Sequence, residues 1–192
     1  QAGLTLTVGN SNTVIGASAG DALTGANSVV VVGQGALSGG ASATGTVAIG
    51  QASLGLLTSG ASNTAVGYQS GDRVTTGSEN TLFGFNAGGA LTTGGQNILI
   101  GSQAGDLITT GSGNTVIGDV AGAAGLANNL ILAAGTTIKL QVNENGAVGV
   151  GSTPSYGTAG QVLQSGGSAA APTWVSGATG SFTSQDGKTV TV

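Results

Sequence analysis

Soluble globular domains are about a quarter charged, whereas only 5% of these 192 residues are charged, with a formal net charge of −4, so uncharged polar groups must hydrate most of the surface. The chain has only three basic residues to neutralise phosphates, which argues against nucleic acid as a partner. Cysteine and histidine are absent, which excludes disulfides, thiolate metal sites and the commonest general base.

The N-terminal segment 1–9 is predicted to be a strand-like lead-in to the repeats that follow. The chain starts at Gln1 and contains no methionine, from which we expect a processed product or a fragment of a longer protein. It has no run of about 18 apolar residues and no signal-peptide pattern, so insertion into a membrane is not expected.

Residues 10–135 form a repeat region in which glycine recurs every 17 residues. The recurring glycines are Gly16, Gly33, Gly50, Gly67, Gly84, Gly101, Gly118 and Gly135, with no insertion or deletion between them. A short fixed period is typical of a small unit that buries its apolar face by stacking on its neighbours. The region is therefore predicted to be a rod of stacked units.

Each unit has the same order of residue types around its glycine. Asparagine four residues before the glycine is followed by a short β-branched or apolar run, typical of a strand bounded by turns. A second glycine four residues after the first, and then Thr-Thr-Gly, indicate a tight turn and a second extended arm. The asparagines are Asn12, Asn63, Asn80, Asn97 and Asn114; the second and third units carry Val29 and Thr46 there, and Leu37 and Leu54 in place of the second glycine.

The frequent glycines disfavour helix, because each would cost a helix roughly 1 kcal/mol, and the apolar spacing never settles at 3.6. We therefore predict an all-β fold, a parallel β-solenoid or β-roll with 17-residue repeats. Equivalent residues would lie about 4.8 Å apart, giving a rod on the order of 40 Å long. The asparagines are expected to form a ladder of side-chain amides along it.

Two adjacent apolar residues precede every recurring glycine, as in Leu82-Phe83. Because neighbouring strand residues point to opposite faces, both faces of each strand are expected to be buried, and Phe83 is expected to pack in the core. One coil is too narrow to bury both faces, so we predict that several copies pack around an axis as an obligate homo-oligomer. The alternative is a flattened monomeric solenoid with an exposed apolar stripe.

The repeat pattern ends at Gly135, and the residues that follow have a different composition. Residues 136–152 are predicted to form a β-hairpin, because two strand-like segments flank the turn sequence Asn145-Gly146. Residues 153–192 are rich in Gly, Ser and Ala and are predicted to be extended chain with short strands, anchored by Trp174; truncation of this region is one expectation.

Residues 157–167, GTAGQVLQSGG, followed by Ala171-Pro172-Thr173-Trp174, resemble a C-terminal signature of bacteriophage tail-fibre proteins. Residues 143–151 and repeat units such as 63–71 are also similar to that family. The Asn-x-x-(Ile/Val)-Gly core also resembles the β-roll heads of trimeric autotransporter adhesins, whose units are shorter.

The resemblance implies a homotrimeric virion fibre that contributes to attachment to the host surface. Its implied partners are further copies of the chain, other tail or capsid proteins, and a glycan or protein receptor on the host. The alternative is a cell-surface adhesin or extracellular filament built on the same trimeric roll, with an extracellular location.

Little in the sequence points to catalysis, and we predict a protein that is not an enzyme and has no cofactor or metal. Asp21, Asp72 and Asp106 share one column, but even the nearest two are two rungs apart, about 10 Å, which is too far for a shared metal or an acid/base pair. They are expected to be solvated.

Four residues are candidate receptor contacts. Asp72 and Arg73 lie at a predicted turn, as a glycan contact or as a solvated turn. Tyr68 and Phe85 occupy one column on adjacent rungs and are either an exposed sugar platform or a rim that covers the core. A third hypothesis is ice binding by the threonine column at positions 58, 75, 92 and 109.

Overall fold

A computed structural model describes residues 9–39, 42–177, 181–183 and 189–191. These residues contain no helix. Eight short strands follow the repeats: β1 Thr13–Ile15, β2 Val30–Val32, β3 Val47–Ile49, β4 Thr64–Val66, β5 Thr81–Phe83, β6 Ile98–Ile100, β7 Thr115–Ile117 and β8 Leu130–Ala134. The predicted lead-in lies outside the described residues, apart from Gly9.

The eight strands stack in chain order, each parallel to the next. From β1 to β6 each strand pairs with the residues 17 positions further along, as Thr81 pairs with Ile98. The chain is thus a parallel β-solenoid of about seven turns, which confirms the predicted fold class.

The core of the solenoid is a narrow column of stacked side chains. The middle residue of each strand points inward, as Leu82 and Leu99 do, and both are fully buried. The second arm of each coil supplies the opposing apolar residue, such as Leu91 or Ile108, which is also fully buried. One inward residue per strand and one per second arm therefore supply most of the largest buried side chains.

The recurring glycines lie where successive coils approach most closely. Gly33 has a φ of +136°, and a Cβ atom built there would lie 2.5 Å from the carbonyl oxygen of Gly50. The other column glycines from Gly16 to Gly118 have φ between 116° and 140°. Both the backbone conformation and the contact with the next coil therefore require glycine.

The predicted asparagine ladder is present and buried. The side-chain amide of Asn97 donates to Oδ1 of Asn80 at 3.1 Å and to the carbonyl of Gly111 at 3.0 Å. Its own Oδ1 accepts from the backbone N–H and the side-chain amide of Asn114, at 3.1 and 2.9 Å. The left-handed residue of this turn is the one before each asparagine, such as Gln96 with φ +60°. The amide ladder thus satisfies backbone groups that the turn leaves without partners.

The second arm, which was predicted to be extended, forms no strand. Its Thr-Thr-Gly segments form bends, and neighbouring coils share few backbone hydrogen bonds there, such as that from the Thr75 N–H to the Thr92 carbonyl at 2.8 Å. Threonine hydroxyls add a second bond, as Thr92 Oγ1 donates to the Thr109 carbonyl at 2.9 Å. Side-chain and backbone bonds together hold this corner.

The last coil is shorter than the others, so the expectation of an unbroken 17-residue period to Gly135 is wrong. Ile117 pairs with Leu132, 15 residues further on, and Asn129 takes the place in the ladder. Gly135 lies in the turn that follows β8, with φ +58°, and a Cβ there would have no atom within 4 Å. Its spacing of 17 from Gly118 therefore has no structural counterpart.

The two leucines that replace the second glycine occupy left-handed backbone, with φ 49° at Leu37 and 51° at Leu54. Both are fully buried. The Cδ2 of Leu54 would be 3.0 Å from a Cβ built at Gly71. The inward residues of β3 and β4 are the small Ala48 and Ala65, whereas β5 and β6 carry Leu82 and Leu99 there.

The sheet ends in antiparallel strands that follow the solenoid. β9 Thr137–Val142 pairs with β8, and β10 Val148–Val150 pairs with β9 across a turn at Asn145-Gly146, as predicted. Beyond it, β11 Gln161–Gln164 pairs with β12 Thr173–Ser176, and β13 Ser181–Thr183 pairs with β14 Thr189–Thr191. Trp174 covers Gly157 and donates to the carbonyl of Ser155 at 2.6 Å, which anchors β12 as expected.

Candidate functional site

The outward face of the strands is a regular surface along the solenoid. The first and third residues of each strand point away from the core, and the third residues include Ile15 and Phe83, which are 58% and 56% exposed. The expectation that Phe83 packs in the core is therefore wrong, because Leu82 takes the inward position. Alternation along a three-residue strand leaves only one inward side chain.

No charged residue occurs on this outward face. The first positions are Thr13, Val30, Val47, Thr64, Thr81, Ile98, Thr115 and Leu130, and the third positions are Ile15, Val32, Ile49, Val66, Phe83, Ile100, Ile117 and Leu132. We call these two columns the strand face. In the single chain the strand face is partly exposed along the whole stack. This exposure is compatible with both expectations, since a homo-oligomer would cover the face and a monomer would leave it as an apolar stripe.

Tyr68 and Phe85 lie on adjacent coils and stack on each other. Their ring centroids are 5.6 Å apart with an interplanar angle of 6°, and the side chains are 44% and 53% exposed. Because one face of each ring lies against the other ring, less ring face is open to a sugar than in a flat platform. Their role as receptor contacts stays a prediction.

Asp72 and Arg73 line a surface groove of about 310 Å³. The groove forms because the coil between Asp72 and Asp106 carries Gly89 and Ala90, which leave a gap in the column. The side chain of Asn86 lies over Gly89, where a Cβ would be 2.6 Å from its Cγ. Gln69 and Leu107 complete the lining, whereas Tyr68 and Phe85 do not take part.

The aspartates of this groove are less solvated than predicted. Oδ1 of Asp72 and Oδ1 of Asp106 are both buried without a hydrogen bond. Burial raises the pKa of Asp72 above its usual 3.8, and the charge of Arg73 and nearby backbone N–H groups only partly oppose this. Within the described residues, no three Asp, Glu, His or Cys side chains are grouped so as to hold a metal ion.

The threonine column bonds within the protein. The hydroxyls of Thr58, Thr75 and Thr92 each donate to the backbone carbonyl of the threonine one coil further on, at 2.8 to 3.2 Å. Thr109 donates to the carbonyl of Ala124 at 3.0 Å. Their protons are therefore engaged in holding the coils together, which weakens the ice-binding hypothesis.

Two larger cavities, of about 570 and 450 Å³, lie near the C-terminal hairpins. Lys139 lines the first and Trp174 the second, and residues 171 and 172 line both. No pattern in the sequence predicted these cavities, because they form where segments distant in sequence meet. Most of their lining residues are small, such as glycine, alanine, serine and threonine.

Comparison of the chain with protein-family models, with curated proteins and with solved structures found no match. Among the residues that the structure describes, no helix has the length and apolar character needed to cross a membrane. The fold and the surfaces described above are therefore the observations that bear on function.

Proposed function

We propose that this protein is a structural component of a bacteriophage fibre, in which three copies form a rigid rod that contributes to attachment to the host surface. The observation that carries the proposal is the long, uncharged strand face along a solenoid whose coils are joined at every level. A rod with such a face suits assembly into a fibre, since an isolated chain would leave that face in water.

The stiffness of the solenoid supports a mechanical role. Each coil is joined to the next by strand hydrogen bonds, by the buried asparagine ladder and by the threonine hydroxyls. Bending would lengthen these bonds on one side of the rod. These bonds therefore resist bending of the rod. A fibre that holds a receptor-binding part away from a particle requires such resistance to bending.

The sequence resemblance supplies the biological setting, which includes a location in the virion and contacts with other tail or capsid proteins. Tyr68, Phe85, Asp72 and Arg73 are proposed contacts for a glycan or protein on the host. The role is structural, without catalysis or a cofactor. The adhesin alternative shares the rod and differs in the location of the protein.

Immunogold electron microscopy tests the proposal. Antibodies raised against the purified chain are expected to label the fibres of phage particles from a lysate that contains the protein. If the antibodies labelled intact cell surfaces and left the phage particles unlabelled, the virion location would be overturned and the adhesin favoured. Light scattering is expected to give three times the 17.9 kDa chain mass, and a stable monomer would contradict the trimeric rod.

A further inference from the structure

We propose that the strand face is the surface through which copies of this chain bind one another, side by side along the length of the solenoid. The inference deepens the proposed fibre and rests on it for its biological setting. The occupant is the strand face of another copy of the same chain.

The strand face is large enough for a stable interface. Ile15, Phe83 and Ile98 are 58%, 56% and 41% exposed, and the smaller members of the face are partly exposed. At these exposures the face presents on the order of 800 Å² of accessible surface, comparable with what each partner contributes to a standard interface.

Its composition favours packing without ion pairs. Neither column contains a charged residue, and the polar members are all threonine. The side chains repeat at every strand spacing of about 4.8 Å. Another copy of this chain has the same spacing and the same uncharged face, so it matches the face over its full length.

Backbone pairing is not the mode of association at this face. Strands β2 to β9 each have a hydrogen-bonded neighbour on both sides within the sheet. Side chains are therefore what these strands offer to a partner. Aromatic residues dominate such contacts, and Phe83 is the aromatic member of the face.

Other exposed apolar residues do not form a comparable surface. Leu107 is 56% exposed, as Phe83 is, but it borders the groove with Arg73 and Asp106. Ala90 occupies its position in the preceding coil. Leu107 therefore provides a control with the same exposure outside the strand face.

The first test compares Phe83→Asp with Leu107→Asp by light scattering over a range of protein concentrations. Phe83→Asp is expected to weaken self-association by on the order of 100-fold, because each copy would place an unpaired charge in the interface. Leu107→Asp is expected to retain the mass of the wild type. Equal masses for the wild type and Phe83→Asp would overturn the inference.

The second test does not depend on how a charged variant folds. The chain contains no cysteine, so Ile100→Cys introduces one thiol on the strand face, and Leu107→Cys places one in the groove. Mild oxidation at low concentration is expected to yield covalent dimers of Ile100→Cys and to leave Leu107→Cys largely monomeric on a denaturing gel. Cross-linking in Leu107→Cys alone would place the contact elsewhere and reject the strand face.

The three-copy rod and the strand-face interface can each be contradicted without the other. A dimer that depends on Phe83 would keep the strand face as the interface and contradict the three-copy rod. A trimer that survives Phe83→Asp and does not cross-link through Ile100→Cys would keep three copies and overturn the strand face.

Discussion

At the scale of single residues, the backbone of each coil depends on a few positions with positive φ. The column glycines have φ near +130° and lie against the carbonyl group of the next coil, as Gly33 lies against Gly50. Gly35, two residues later, has φ +65° and open space around it. The next coil has Ala52 at that position with φ +57°, so a side chain is accommodated there.

Gly33→Ala and Gly35→Ala therefore form a matched pair. Gly33→Ala is expected to lower the free energy of unfolding by about 3 kcal/mol or more, because the methyl group would collide with Gly50 in a backbone region unfavourable to alanine. Gly35→Ala is expected to cost about 1 kcal/mol, the price of a left-handed alanine. Urea unfolding at one protein concentration measures both, and similar losses would contradict the close-contact explanation.

The raised pKa of Asp72 leads us to expect a stability that depends on pH. Burial raises its pKa above 3.8 in the folded chain, so the folded state holds the proton more tightly than the unfolded state does. The contribution of Asp72 to stability therefore falls as pH rises from 3.8 through the raised pKa, and it recovers on acidification.

Asp72→Asn is expected to be more stable than the wild type at pH 7, with the difference shrinking towards pH 4. Urea midpoints at the two pH values measure this difference. Glu79→Gln controls for the loss of one negative charge. A difference between Asp72→Asn and the wild type that grows on acidification would contradict the assigned cause.

At the scale of the structural elements, three-residue strands are too short to be stable alone, and columns of side chains join them. In the asparagine column, the side chains of Asn80, Asn97 and Asn114 each bond to both the preceding and the following coil. The column is interrupted at Val29 and Thr46, and Thr46 Oγ1 is buried without a hydrogen bond. The second and third coils therefore lack part of this support.

Asn97→Ala tests the ladder at its centre. It removes the bonds to Asn80 and Gly111 and leaves buried groups of Asn114 without their acceptor. The expected loss is about 3 kcal/mol in the free energy of unfolding by urea. Gln96→Ala, at the exposed neighbour, is expected to change stability by less than about 0.5 kcal/mol. Equal effects would show that the ladder does not stabilise the fold.

At the scale of the whole molecule, the solenoid is a one-dimensional stack in which each coil contacts its neighbours. The register of every column depends on the length of each coil. The last coil shows that a shortening to 15 residues is compatible with continued strand pairing. A coil much shorter than this could not pass around the core.

Deletion of residues 85–101 removes one full unit and joins Gly84 to Ser102. The shortened chain is expected to keep its β-sheet circular dichroism and cooperative unfolding, with the rod shorter by about 4.8 Å in small-angle scattering. Deletion of residues 85–92 removes half a unit and is expected to abolish cooperative unfolding. If both deletions had the same effect, the coil would not be the unit of stability.

The sequence predicted the solenoid well because its signals are local and repeated. The asparagine, the inward residue and the column glycine each recur at the same place, and each has a backbone reason in its own coil. The expectation of a second extended arm did not include the bends of the Thr-Thr-Gly segment, whose hydroxyls are turned to the neighbouring coil. The prediction that the 17-residue period continues to Gly135 was wrong because this turn glycine lies at the repeat spacing by coincidence.

The sequence by itself determined the stacked architecture, the amide ladder and the C-terminal hairpin, since these follow from short-range patterns. Only the tertiary structure decided which of two adjacent apolar residues faces inward, that Phe83 is outward, and that Gly89 opens a groove between Asp72 and Asp106. The physical reason is that exposure and gaps depend on which coils come into contact. That property belongs to the stack, and no single repeat unit contains it.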